Sequence, residues 1–274
     1  MDQRANDAAA FSGGAVQSAK PAPPMRDRIL ILASIGAITV LAWIYLFHLA
    51  HQMSLAVAQS NMMAAMGMTV DAPWAAADFF LTFAMWAVMM VGMMGPSAAP
   101  MILLAGAARA RGGATGVSAA AGIFGLGYVA VWTVFSAAAA FAQWGLHKAA
   151  LLSAGMAVSS RPVAAAVLIV AGLYQLTPWK NGCLIHCRSP LDFLMTHWRE
   201  GAWGAFEMGA THGTYCLGCC WALMMVLFAV GVMNLAWVAG LAAFVLLEKI
   251  GPKGALVARL SGVVLIGFGI ATAL

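Results

Sequence analysis

Long apolar runs broken by short polar stretches dominate the chain. The run from Ile29 to His51 holds no Asp, Glu, Lys or Arg, and a helix of about 20 such residues crosses a hydrocarbon core of roughly 30 Å. Windows of that size predict seven helices, near Ile29 to His51, Pro73 to Ala108, Gly116 to Trp144, Pro162 to Leu176, Trp203 to Met233, Leu235 to Leu247 and Ala255 to Ala273. The fourth and sixth are short and the second is long. Between the fourth and fifth, Pro178 to Gly201 is polar enough to lie in the membrane interface. Uniform runs of this kind argue against a transmembrane barrel, whose strands alternate apolar and polar positions over about ten residues. The expected class is therefore all-α, a polytopic transmembrane bundle of about seven spans.

Composition sharpens this reading. The chain is 63% hydrophobic and 8% charged, against about 45–50% and 25% for a soluble domain, and its mean hydropathy is +0.89. These values exclude a soluble domain and a disordered chain, and five Cys are too few for a disulfide scaffold. The net charge of +5 comes from 14 dispersed Lys and Arg, with no basic cluster to hold nucleic acid. Residues 1–28, rich in Ala, Gly, Ser and Pro, are expected to form a disordered cytoplasmic tail, and 29–274 the membrane domain. The tail lacks the short apolar core of a cleavable signal, so the first span is expected to direct insertion. Seven spans with the N-terminus inside place twelve of the 14 basic residues on the cytoplasmic side. This predicts a multi-pass protein of a bacterial inner (cytoplasmic) membrane, in contact with its lipid bilayer. At the predicted helix ends, Glu207 and Glu248 are expected to be solvated, and Arg188 and Arg199 to meet lipid headgroups.

Candidate chemistry is concentrated in two places. All five Cys fall in Cys183-Leu184-Ile185-His186-Cys187 and His212-Gly213-Thr214-Tyr215-Cys216-Leu217-Gly218-Cys219-Cys220. At 100° per residue, His212, Cys216, Cys219, Cys220 and Met208 share a stripe of roughly 120°, with Glu207 turned away. Cys and Gly also serve as small packing residues between membrane helices, but packing does not account for two His beside them. Thiolate, thioether and imidazole suit a soft ion, Cu(I) first and Zn(II) second, and not Mg or Ca. The irregular Cys spacing matches no zinc finger or ribbon.

The second helix carries Met85, Met89 and Met93 on one line and Met90, Met94 and Met101 on an adjoining one. Met commonly fills gaps in a packed bundle, but the midpoints of helices two and five, near Val91 and Gly218, set Met89, Met90, Met93 and Met94 at the depth of the helix-five thiols. Pro96 and Pro100 are expected to kink the helix there and free the Gly92 and Pro96 carbonyls. On the outer side, His48 and His51 end the first helix, and a Met-rich loop follows with Met62, Met63, Met66 and Met68. That segment is read either as soft ligands for Cu(I) in an oxidising compartment or as an amphipathic interfacial helix.

The stretches MWAVMMVGMMGPSAAPMILL, YQLTPWKNGCLIHCRSPL and GATHGTYCLGCCWALMMVLFAVGVMNLAW resemble a bacterial family of metal-binding integral membrane proteins. That family was first described as a domain of unknown function and is associated with copper delivery to polyphenol oxidases. The resemblance spans Pro73 to Leu274 and implies metal-associated roles for Cys183, His186, Cys187, His212, Cys216, Cys219 and Cys220.

The expected function is copper handling: binding Cu(I) through Cys, His and Met, for delivery to an extracytoplasmic copper enzyme or for transfer across the membrane. With no Walker motif, ATP hydrolysis is not expected to drive it, and no catalytic residue set is identified. Two other readings remain open. One is a membrane thiol-disulfide oxidoreductase passing electrons to a quinone; the other is a structural or assembly subunit of a larger membrane complex.

Overall fold

The computed structural model describes residues 25–68, 75–111, 116–153 and 156–274. Residues 1–24, most of the expected tail, lie outside them, and Met25 to Arg28 are already helical. Among the described residues there are nine helices: α1 Met25–Ala65, α2 Ala76–Arg111, α3 Val117–Lys148, α4 Arg161–Gln175, α5 Pro178–Arg188, α6 Pro190–His197, α7 Gly201–Val230, α8 Leu235–Ile250 and α9 Gly254–Ala273. Each of the seven expected helices has a counterpart. Five of the nine (α1, α2, α3, α7 and α9) are long and apolar enough to cross a membrane, or up to six if the bent pair α4 and α5 forms one span. With 16 residues, α8 reaches only about 24 Å at 1.5 Å per residue.

The breaks follow from local chemistry. Pro178 has no N–H to continue α4, and Thr177 Oγ1 accepts the Lys180 amide at 3.3 Å as the cap of α5. The two helices meet at 64°. Ser189-Pro190 separates α5 from α6 in the same way, and Gly231, with φ of 98°, ends α7 where a side chain would be strained. The segment expected to be interfacial is thus two short helices folded back onto the bundle, with Leu184, Phe193 and Leu194 buried.

Two helix pairs approach closely. A Cβ on Gly127 of α3 would overlap the Phe206 carbonyl of α7, and one on Gly209 of α7 would overlap the Phe124 carbonyl of α3. Likewise a Cβ on Gly172 of α4 would stand 2.6 Å from the Gly262 carbonyl of α9, and the reverse contact is 2.8 Å. Small residues let membrane helices pack backbone to backbone. Here they hold α3 against α7 and so fix the cysteine helix.

The Met-rich segment after His51 corrects the expected loop. It continues α1 unbroken to Ala65, because no Pro or Gly interrupts residues 37–65. α2 runs without a break through Pro96 and Pro100, and the Met94 carbonyl accepts Ser97 Oγ at 2.8 Å.

Candidate metal site between α5, α7 and α8

The pitch of α7 aims Met208, His212, Cys216, Cys219 and Cys220 inward, and all five are buried. Across from them, α5 presents Cys183 and Cys187, both half-buried. Glycine makes the approach possible, since a Cβ on Gly218 would stand 2.7 Å from Cys183 Sγ. Cys219 is the hub: its Sγ lies 3.2 Å from Cys220 Sγ and 3.9 Å from Cys187 Sγ. All five thiols are free.

One turn earlier, Cys216 faces a different set of groups. Lys249 Nζ donates to Cys216 Sγ at 2.8 Å and to Ser97 Oγ of α2 at 3.1 Å. The Tyr128 hydroxyl of α3 lies 2.9 Å from the same sulfur and 3.4 Å from the Met94 carbonyl. Buried ammonium groups are costly unless paired, and here the partners are a thiol and a hydroxyl. Tyr128 thus bridges Met94 and Cys216, with Lys249 on the same sulfur.

His212 does not reach the cysteines through any hydrogen bond. Its ring stacks on Tyr128 at 5.8 Å and meets the edge of Phe193 at 5.4 Å, and its buried Nδ1 has no hydrogen-bond partner. His186 turns to Tyr215, ring on ring at 4.4 Å, and donates from Nδ1 to the Gly182 carbonyl at 2.8 Å. Met89, Met90, Met93 and Met94 are all buried and share one core with Cys216, Cys219 and Cys220. By contrast His48 and His51 are exposed on α1. As the side chains stand, no group of three or more His, Cys, Asp or Glu among the described residues is placed to hold a metal ion. The sulfur pairs, not a closed cage, are what the fold assembles.

A family model described as PpoB2: Copper chaperone matches residues 83–272. The chain belongs to the PpoB2 copper chaperone family. No curated protein and no solved structure matches it. The PpoB2 segment runs from α2 to α9 and contains all five cysteines. The resemblance noted in the sequence is thus borne out.

Several polar residues of the PpoB2 segment stand where the sequence reading did not place them. Glu248, expected to be solvated, is fully buried and pairs with Lys180 at 2.5 Å. Lys180 also donates to Gln175 Oε1, and Gln175 Nε2 donates to Ser261 Oγ at 3.1 Å. Arg188 does not reach out to headgroups: its guanidinium donates to the Gly251 carbonyl at 2.5 Å and the Glu248 carbonyl at 3.4 Å, closing the open end of α8. Arg199 pairs with Glu207 at 2.9 Å on the exposed side of α7. A signal for Glu248 and Lys249 was present in the sequence. Val238, Leu241, Val245, Glu248 and Lys249 recur at helical spacing, and all are buried, so the two charges continue the inward stripe. Tyr128 carried no such signal, because nothing local marks one hydroxyl among apolar neighbours.

Proposed function

We propose that this protein takes Cu(I) as cargo into the sulfur site between α5 and α7 and passes it to an extracytoplasmic copper enzyme or across the membrane. The observation that carries this reading is the spacing of Cys187, Cys219 and Cys220. Two thiolates bound to one ion at about 2.3 Å stand about 3.8 Å apart at a tetrahedral angle, and Cys187 Sγ and Cys219 Sγ are 3.9 Å apart. Small rotations of the three side chains bring their sulfurs onto one soft ion, which thiolates suit, Cu(I) first and Zn(II) second.

In this reading Cys183, His186 and His212 flank the site, while Met89, Met90, Met93 and Met94 supply a thioether route along α2 from which copper exchanges faster than from thiolates. The chain sits in a bacterial inner membrane with seven spans and the N-terminus inside, α4 with α5 and the short α8 making up the count. Residues 178–201 then lie near one membrane interface.

The test is anaerobic Cu(I) loading of the detergent-purified protein against Cys187→Ser/Cys219→Ser/Cys220→Ser, with a chelator of known affinity as competitor. Wild type retains at least one Cu(I) per chain that the variant loses. Equal retention by both overturns the site.

A further inference from the structure

At 41 residues, α1 is about 60 Å long at 1.5 Å per residue, twice the roughly 30 Å hydrocarbon core. Its seat in the bundle shows which end projects. Ile31, Ala42 and Leu46 are its buried residues, Gly95 of α2 lies beside Thr39 and Gly92 beside Ala42, and no described residue of 47–68 is buried. With the midplane taken near Val91 and Gly218, beside Ala42 of α1, a half-core of about 15 Å ends some ten residues beyond Ala42. The remainder to Ala65 then rises roughly 20 Å past the hydrocarbon edge. It carries Gln52, Ser54, Gln59, Ser60 and Asn61 and no charged residue.

Four methionines crown this projection. Gly67, with φ of 77°, turns the chain back in the left-handed conformation typical of helix ends. The Gly67 amide donates to the Ala64 carbonyl at 3.0 Å and the Met68 amide to the Met63 carbonyl at 3.0 Å. That closure folds Met68 back over the turn of Met63, while Met62 and Met66 are four apart and share a face. Met62, Met66 and Met68 are 65%, 59% and 52% exposed, large apolar side chains that no described residue covers. His48 and His51 lie on the same face of α1 as Met62 and Met66, within about 60° at 100° per residue.

We propose that the tip formed by Met62, Met63, Met66 and Met68 is a second Cu(I) site, standing outside the bilayer, where copper is exchanged with the surroundings. Thioethers are neutral, so a segment without charge binds a monovalent soft ion through sulfur alone and releases it readily, and it discriminates against Zn(II), which prefers thiolate, imidazole and carboxylate. The tip precedes the matched family segment 83–272; it takes from the proposed function only the identity of the cargo and does not depend on the thiol site.

The test uses the full chain in lipid nanodiscs, labelled with carbon-13 at the methionine methyls and titrated anaerobically with Cu(I) and with Zn(II). In a chain with all five Cys changed to Ser, the methyls of Met62, Met66 and Met68 shift with Cu(I) and not with Zn(II). In the wild-type background, Met62→Leu/Met63→Leu/Met66→Leu/Met68→Leu binds one Cu(I) fewer per chain, and its volume-conserving, mostly exposed changes leave the fold intact. Tip methyls unmoved by Cu(I), or an unchanged copper count in the four-Leu chain, overturns the proposal, as does quenching of those methyls by a paramagnetic label in the lipid core. Shifts in the Cys-free chain support it whether or not the thiol site holds copper.

Discussion

Changing Glu248 to Gln tests the packing of the polar layer beneath the thiol site. Lys180 and Glu248 are both fully buried and 2.5 Å apart, and Lys180 has Gln175 as its other acceptor. Removing one member of a buried pair leaves an uncompensated charge, at a cost of about 3–5 kcal/mol. One decade in the equilibrium is about 1.4 kcal/mol, so the expected fall in the folding constant is about two to three and a half decades. Unfolding by SDS in mixed micelles, followed by tryptophan fluorescence, reads this directly. Lys180→Met/Glu248→Leu removes both charges and should recover most of the loss. The exposed pair Arg199 and Glu207 is the internal reference, and Glu207→Gln is expected to cost under about 1 kcal/mol. A Glu248→Gln penalty no larger than that of Glu207→Gln would falsify the burial argument.

Other outcomes follow from the same contacts. Gly209→Ala drives a methyl into the Phe124 carbonyl and is expected to lower stability by about 1–3 kcal/mol or more, read as a fall in Tm, whereas Gly145→Ala, where a Cβ meets nothing within 4 Å, leaves Tm unchanged or raised. Tyr128→Phe removes the hydroxyl that reaches Cys216 and Met94 and should cost about 0.5–1.5 kcal/mol in the same unfolding assay. Arg188→Gln frees the Gly251 carbonyl at the end of α8, and hydrogen exchange of the amides around 248–254 should accelerate while α3 is unaffected.

The sequence made the helices legible because membrane burial demands long apolar runs, and those runs are local. It also made the sulfur stripe of α7 legible, since a pitch of 3.6 residues places Cys216, Cys219 and Cys220 together without reference to the rest of the fold. The partners of that stripe were not legible. Lys249 and Tyr128 come from α8 and α3, and only the bundle brings them to Cys216. Basic residues near helix ends were read as cytoplasmic markers, yet Lys180 and Lys249 are turned into the core, where an acid or a thiol offsets their charge. The two histidines were the least legible, because aromatic neighbours take up His186 and His212 and neither ring hydrogen-bonds to a sulfur. The loop expected after His51 was mistaken, as residues 52–65, free of Pro and Gly, extend α1 by more than three turns.

X-ray absorption at the copper edge of the anaerobically Cu(I)-loaded full chain tests the central claim most directly. The account predicts a shell of two or three sulfurs near 2.3 Å that is lost when Cys187, Cys219 and Cys220 are replaced by Ser. A shell dominated by nitrogen or oxygen, or one unchanged in that variant, contradicts it.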